Sequence, residues 1–187
     1  MSYGQNIAST EKHGVVKVGT GLTVIDGVVS NGSYPYSASY GFVASSITQL
    51  NTLANTVNIV NFDVLDPVKD ITLTPLDDGI IIHDSGVYTI STNLSIKKTS
   101  GGTSTISIWL RKNNTNITGS TQNLALINTL SVISTLNSFA LDLDVGDILQ
   151  LCWSSADTTI SLAALSATSN PIRPLGYSTK VIITKVS

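Results

Sequence analysis

The most constraining feature of this sequence is an alternation of apolar and polar residues that begins at Asn58 and recurs to the end of the chain. Apolar residues at every second position predict half-buried β-strands, because successive side chains of a strand point to opposite faces of a sheet. Clusters of Gly, Asn, Asp and Ser separate these runs at short intervals, which is typical of an antiparallel sandwich. The alternating runs are Val60–Val64, Tyr88–Ile96, Ile106–Leu110, Phe139–Leu143, Leu149–Trp153 and Val181–Ile183.

The composition favours the same fold and excludes several classes of partner. Charged residues form 12% of the chain, against about 25% in an average soluble domain. Ser, Thr and Asn take their place, and the β-branched residues among the remainder favour strands over helices. The net charge of −2 provides no basic patch, so we expect no nucleic acid and no anionic membrane as a partner. No apolar run approaches the roughly 20 residues that a membrane span needs.

Residues that could catalyse a reaction or bind a metal are few and poorly placed. Cys152 is the lone cysteine, so we expect an inert buried thiol and no internal disulfide. His83 precedes Asp84–Gly86, a segment typical of a turn, and neighbours in sequence point to opposite strand faces, which disfavours a catalytic triad. His13 is expected to be solvated or interfacial. The aspartates of Asp142–Asp147 lack the spacing of a calcium loop, so we expect no enzyme, no cofactor and no metal, with a calcium site as the alternative.

The chain divides into three segments of different pattern. Residues 1–36 are Gly-rich and carry too little apolar surface to offset the entropy of ordering them, so we expect an assembly arm that orders only against a partner. Residues 37–57 admit two interpretations. Leu50, Leu53 and Val57 have helical spacing, and Ile47 adds another turn, whereas the many Ser, Thr and Asn residues favour an extended linker. Residues 58–187 form the sandwich. The apolar residues of the arm that we expect to anchor it are Val15, Val16, Val18, Leu22, Val24 and Val28.

Three short motifs follow one another in the second half of the chain. Gly86–Ile90 reads G-V-Y-T-I, Ile108–Asn113 reads I-W-L-R-K-N, and Leu141–Leu151 contains L-D-L-D-V-G-D-I-L-Q-L. Their type and order resemble the jelly rolls of the complement globular head and of tumour necrosis factor, although Asn114 stands where those domains usually have Gly. The resemblance covers residues 58–187. It implies an antiparallel, TNF-like jelly roll that assembles as a homotrimer, which also protects exposed strand edges.

Further motifs point to a viral variant of this domain. Thr99–Gly102 reads T-S-G-G, Leu151–Thr158 reads L-C-W-S-S-A-D-T, and Asn170–Pro174 reads N-P-I-R-P. Together with W-L-R-K-N and G-D they resemble virion proteins of aquatic phages and large DNA viruses. The N-terminal stretch Gly14–Ser30 resembles a module of phage fibres. These resemblances imply a virion protein with an N-terminal arm followed by a jelly-roll knob.

The alternation along the strands suggests which side chains make contacts in such a trimer. Trp109 and Arg111 project to one side, away from the apolar positions of their strand, and an aromatic ring beside a guanidinium can stack on a sugar or on a partner surface. Tyr88 begins the G-x-Y strand and adds an aromatic side chain. We therefore predict Trp109, Arg111 and Tyr88 as trimer-interface or ligand-contact residues. Trp153 follows two apolar alternating positions and is expected in the core.

These expectations combine into one function and one alternative. The resemblance implies a non-enzymatic, homotrimeric virion protein, a capsid decoration or short fibre that binds other capsid or tail proteins through its arm. The alternative is an adhesin knob that binds a host surface glycan. Met1–Asn6 lacks the basic and apolar regions of a signal peptide, so we expect synthesis in the host cytoplasm and a final location in the virion. A hydrolase is disfavoured by the shortage of His and Glu.

Overall fold

The computed structural model describes residues 22–25, 28–31 and 38–186, with side chains described from 38 to 129 and from 138 to 186. The chain divides into two units, residues 1–37 and residues 38–187. In the first unit, β1 (Leu22–Ile25) pairs antiparallel with β2 (Val28–Asn31). The predicted anchoring residues Val15, Val16 and Val18 lie outside the described residues. Leu22, Val24 and Val28 lie in the two hairpin strands, and their anchoring role stays a prediction.

The second unit consists of short and long strands, without a helix in the described residues. None of its segments therefore forms a helix long and apolar enough to cross a membrane. The strands, in chain order, are β3 (Tyr40–Ser45), β4 (Gln49–Leu50), β5 (Asn58–Ile59), β6 (Val64–Lys69), β7 (Ile71–Leu73), β8 (Ile80–Ile82), β9 (Gly86–Lys98), β10 (Thr103–Lys112), β11 (Thr115–Asn116), β12 (Gln122–Ile127), β13 (Leu130–Leu143), β14 (Ile148–Ser155), β15 (Ile160–Leu162), β16 (Thr168–Ser169), β17 (Ile172–Arg173) and β18 (Thr179–Lys185).

Two antiparallel sheets make up the sandwich. In the first, which we call the β9 sheet, the spatial order is β13, β9, β18, β3 and β6, and β15 and β4 continue beside the end of β9. In the second, the β14 sheet, the order is β7, β8, β14, β10 and β12, with β5 beside β14 and β11 beside β10. The chain crosses repeatedly from one sheet to the other, so spatial neighbours are distant in sequence. This is the jelly-roll arrangement, and it confirms the predicted all-β fold, an antiparallel jelly-roll sandwich.

The core lies between the sheets and is formed by the alternating apolar positions. From the β9 sheet, Tyr88, Ile90, Leu94 and Ile96 point inward, as their period of two predicts. From the β14 sheet, Trp153 is fully buried, as expected. The other large buried side chains of this core include Phe62, Ile80, Ile82, Ile106, Ile108, Leu110, Leu143, Leu149, Leu151, Ile160, Leu162, Val181 and Ile183.

The structure corrects the interpretation of residues 37–57. The described part of this segment contains β3 and β4, and β3 pairs along its whole length with β18 in the middle of the β9 sheet. The sandwich therefore begins near Ala38 rather than at residue 58, and the segment is neither a helix nor a linker. The alternation was hidden because the inward positions of β3 include Gly41 and Ser45, whereas Phe42 faces outward.

The predicted turns lie where the strands end. Asn113 and Asn114 have φ of 51° and 63° and connect the paired residues Lys112 and Thr115. A two-residue hairpin turn with positive φ at both positions favours Gly and Asn, so Asn114 replaces the usual Gly without a change of turn type. Gly146, at φ +88°, forms the corner between β13 and β14.

Candidate functional site: two faces and the corners that hold them

The K-N and G-D motifs meet at one corner of the sandwich. The Asp147 carboxylate accepts hydrogen bonds from Lys112 Nζ (2.9 Å), Asn113 Nδ2 (2.6 Å) and the backbone N of Asp144 (2.8 Å). In return, Asn113 Oδ1 accepts the backbone N–H of Ile148 at 2.8 Å. Burial alone would raise the pKa of Asp147, but these donors outweigh it and lower the pKa. The two motifs thus encode one structural junction between the turns after β10 and β13.

The T-S-G-G and S-S-x-D-T motifs meet at a second corner, around a buried lysine. Lys98 has no exposed surface, and its Nζ donates to the backbone carbonyls of Ser100 (2.9 Å), Gly101 (2.8 Å) and Gly102 (2.8 Å). The Asp157 carboxylate lies 3.7 Å from the same Nζ. Three carbonyls and a carboxylate therefore replace the water that an ammonium loses on burial.

Asp157 is held from several other directions as well. Its oxygens accept Ser104 Oγ at 2.6 Å, Thr159 Oγ1 at 2.6 Å and the backbone N of Thr159 at 2.8 Å. The hydrogen bonds from Ser104 and Thr159, helped by the charge of Lys98, lower the pKa of Asp157 to about 2. Its side chain is 18% exposed. Lys98 was not predicted, because a lysine at a core-facing strand position gives no signal of its distant partner.

One face of the β14 sheet carries the predicted contact residues Trp109 and Arg111. Both are half-buried, and both donate to Asn116 Oδ1, from Trp109 Nε1 at 2.9 Å and from Arg111 Nε at 2.8 Å. The two side chains therefore share the outward face, as expected, and are fixed there. Cys152, the cross-strand partner of Trp109, is buried, and burial raises the pKa of its thiol to about 11. The expected inert, buried thiol fits this environment.

The structure corrects the assignment of Tyr88. This side chain has no exposed surface, lies in the core, and donates from its hydroxyl to the carbonyl of Asp84 at 2.5 Å. A residue enclosed by its own sandwich cannot contact a neighbouring subunit or a ligand. Its position in the alternation with Ile90 already indicated the inward face.

The tripeptide after β8 is a turn in which His83 and Ser85 make no hydrogen bond to each other. His83 Nε2 lies 2.7 Å from Thr72 Oγ1, whereas the carboxylate of Asp84 accepts Lys185 Nζ at 2.8 Å and Ser39 Oγ at 2.9 Å. His83 and Asp84 are thus oriented by different neighbours. Among the described residues, no three His, Cys, Asp or Glu side chains are grouped closely enough to hold a metal ion.

The outer face of the β9 sheet is the second candidate surface, and it was not predicted. Two adjacent cross-strand rows on it contain no charged residue. Ile182 is 52% exposed and Tyr40 is 42% exposed, and Phe42 packs against Tyr177 with ring centroids 5.9 Å apart. The first row is Ala140, Thr89, Thr184 and Tyr40, and the second is Ser138, Ser91, Ile182 and Phe42.

A third feature is a cleft of about 710 Å³ near β4 and β5, lined by both polar and apolar residues. Its lining includes Ile47, Leu50, Val57 and Leu76, all exposed, together with Trp153. Trp153 Nε1 has no hydrogen-bond partner in the described part of the chain. Ile47, Leu50 and Val57 belong to the helical spacing seen in the sequence, and the structure instead places them along this cleft.

Comparisons with known proteins add the following. Three crystal structures of murine APRIL, obtained at pH 8.0, 8.5 and 5.0, match 80% of this chain and 100% of their own chains. Their sequence identities to this chain are 14, 13 and 13%, and their TM-scores are 0.49, 0.47 and 0.47. No protein-family model and no curated protein matches the sequence.

Proposed function

We propose that this chain is a non-enzymatic structural protein of a virion, a homotrimeric decoration or short fibre anchored through residues 1–36. The observation that supports the trimer is the pair of uncharged cross-strand rows on the outer face of the β9 sheet, where Ile182 lies beside Ser91 and Phe42, and Tyr40 lies beside Thr184. Large apolar side chains gathered on an uncharged face are typical of protein interfaces. The resemblance to viral motifs supports the location.

The dimensions of this face suit part of a stable interface. Of its four strands β13, β9, β18 and β3, the last two are only 7 and 6 residues long, so the area that all four cover is about 20 Å by about 15 Å, roughly 300 Å². A standard interface buries about 800 Å² on each partner, so this face would form less than half of one. A symmetric trimer in which this face meets its copies would bury Ile182 and Tyr40, and it would leave Trp109 and Arg111 on the opposite sheet available for a ligand.

The solution mass of the purified chain tests the trimer. We expect light scattering to give three times the 19.7 kDa mass of one chain. Ile182→Lys should give monomers, because a buried unpaired ammonium disrupts an apolar interface. Ile172→Lys is the matched control, since Ile172 is 90% exposed in the β16–β17 hairpin, and it should remain trimeric. A monomeric parent chain, or a trimeric Ile182→Lys variant, would contradict the proposed interface.

The anchoring role of the arm needs a second experiment. A chain lacking residues 1–36 should still trimerise if the β9 sheet forms the interface. In particles of the encoding virus, mass spectrometry should detect the full chain but not the shortened one. Incorporation of the shortened chain would show that the knob itself carries the attachment.

A second candidate function is the glycan-binding adhesin. It is favoured by the outer face of the β14 sheet, where Trp109 lies next to a row of Ser and Thr residues on β10 and β14. Aromatic rings and hydroxyl groups on a rigid sheet provide the contacts that a sugar uses. Binding of the purified chain to a glycan array tests this function independently of its mass.

A further inference from the structure

A polar groove of about 520 Å³ lies on the outer face of the β14 sheet, next to the Asp157 corner. β10 contributes Thr103 and Thr105, β14 contributes Ser154, and Asn55 contributes from the loop before β5. The backbone N of Asn55 donates to the carbonyl of Ser155 at 2.9 Å, which ties this loop to the sheet. The groove is thus built on paired strands rather than on free loops.

Several polar groups of this groove have no protein partner. Among the described residues, the hydroxyls of Thr103, Thr105 and Ser154 and the amide of Asn55 make no side-chain hydrogen bond. Their neighbour Ser107 is different, since its hydroxyl donates to Asn123 Oδ1 at 2.7 Å. Each free hydroxyl can both donate and accept, and the amide does so through separate atoms. Together they can bond a ligand that carries several hydroxyl groups at fixed spacing.

An apolar side chain lies beyond the Ser107 end of this groove. Trp109 follows Ser107 by two residues, so it lies on the same face of β10, about 7 Å further along the strand. Its Nε1 donates a hydrogen bond to Asn116 Oδ1. This bond fixes the indole, and the face of the ring stays available for an apolar contact. A pyranose ring has the matching character, with C–H groups on one face and hydroxyls at its rim.

The charge of the groove restricts the ligand further. None of the residues that line it is a cation, and the ammonium of Lys98 is enclosed by three carbonyls of its own turn. The carboxylate of Asp157 lines the groove and is partly exposed. This negative charge would repel a carboxylated or sulfated sugar, and no cationic side chain lines the groove to compensate for the repulsion.

We propose that this groove binds a short neutral oligosaccharide, with Asn55, Thr103, Thr105 and Ser154 as hydrogen-bonding residues and Trp109, beyond the Ser107 end of the groove, as the apolar platform for an adjoining sugar unit. The proposal rests on the adhesin function described above and gives that function its site and its ligand class. It is independent of the proposed trimer, because the groove and the uncharged face lie on different sheets.

The test uses the full chain and a set of simple sugars. The probes are the methyl glycosides of glucose, galactose, mannose and N-acetylglucosamine, with glucuronic acid and N-acetylneuraminic acid as charged comparators. Binding is followed by ligand-observed NMR and by tryptophan fluorescence. The second tryptophan, Trp153, is buried and lies outside this groove, so a ligand bound here is expected to change the fluorescence of Trp109 rather than that of Trp153. We expect at least one neutral glycoside to bind more tightly than either acid.

The double variant Thr105→Val/Ser154→Ala removes two free hydroxyls while keeping the size and strand preference of each residue close to the original. Each lost hydrogen bond should weaken binding about 3- to 10-fold, so the pair should cost at least about 10-fold. Thr115→Val is the matched control, because Thr115 is exposed on β11 of the same sheet and outside the groove. It should bind as the parent chain does. Equal thermal unfolding of the three proteins shows that folding is unchanged.

The possible results separate the two proposals. If a neutral glycoside binds the double variant as tightly as the parent, the chain is a glycan binder and the groove is the wrong site. If no glycoside and no glycan on an array binds, both the adhesin function and this inference are refuted. Stronger binding of an acidic sugar overturns the ligand class.

Discussion

Replacing Asp157 with Asn changes one charge at the Lys98 corner and almost nothing in shape. The carboxylate accepts three short hydrogen bonds, from Ser104 Oγ, Thr159 Oγ1 and the backbone N of Thr159. It also faces the buried Lys98 ammonium. The amide keeps one oxygen as an acceptor but loses the negative charge, and its NH₂ group faces donors on the other side.

The expected loss follows from the strength of these bonds. A hydrogen bond to a charged group contributes about 1.5–3 kcal/mol, and one between neutral groups about 0.5–1.5 kcal/mol. Each of the three bonds should therefore weaken by about 1 kcal/mol, and the free energy of unfolding should fall by about 3 kcal/mol. For a domain of this size, that loss lowers Tm by about 6–12 °C.

The pH dependence provides a sharper test than the loss itself. The pKa of Asp157 is lowered from 3.8 to about 2 in the folded chain. The carboxylate therefore contributes stability that is fully present above about pH 4 and is lost as the pH falls through about 2. Between pH 7 and pH 5 the difference between parent and Asp157→Asn should be constant. Below pH 4 it should shrink, because the parent loses the same charge.

Urea unfolding of both proteins from pH 7 to pH 2, followed by circular dichroism, measures this difference. Asp142→Asn is the control, because Asp142 is exposed and its carboxylate accepts no hydrogen bond within the described residues; its effect should be below about 0.5 kcal/mol. An Asp157→Asn variant as stable as the parent at pH 7 would refute the role of this corner. A difference that persists undiminished at pH 2 would refute its ionic origin.

Two further predictions concern the other corner and the lone thiol. Asp147→Ala should lower the free energy of unfolding, measured with urea, by about 2–4 kcal/mol, because it leaves Lys112 Nζ, Asn113 Nδ2 and the Asp144 N–H without their acceptor. The control Asp144→Ala changes an exposed side chain and should cost less than about 1 kcal/mol. Equal losses in the two variants would contradict the junction. Cys152 is buried, and the pKa of its thiol is raised to about 11. At pH 8 it should therefore react with a thiol reagent only as fast as the chain unfolds, and in urea it should react at once. Rapid labelling of the folded chain would contradict its burial.

The sandwich could be predicted from the sequence because one periodicity dominates its long strands. Tyr88–Ile96 and Leu149–Trp153 alternate so regularly that the inward face follows without other information. β3 escaped prediction for the opposite reason. Its inward residues include Gly41 and Ser45, and its place in the sheet depends on β18, more than 130 residues away. Short strands of mixed composition take their structure from their neighbours rather than from their own pattern.

The candidate surfaces were harder to predict from the sequence than the fold was. K-N, G-D and S-S-x-D-T are conspicuous, and the structure uses them as junctions, because Asp147 and Asp157 each tie separate turns together. Trp109 and Arg111 were placed correctly on one face, because residues that are two positions apart on a strand point to the same side. Tyr88 was assigned by its aromatic character, although its own periodicity placed it in the core.

The surfaces available for contact consist instead of common residues that become neighbours only through strand register. Ser138, Ser91, Ile182 and Phe42 form one row, yet they come from four strands spread over most of the domain. A one-residue shift of β18 would turn Ile182 inward and Val181 outward, which would destroy both the row and the core. Packing of the core therefore fixes the strand register, and the register in turn brings together the residues of the uncharged rows and of the hydroxyl groove. On this reasoning, Ile182→Lys should abolish assembly and leave the fold intact, because it changes the face without changing the side chain that sets the register.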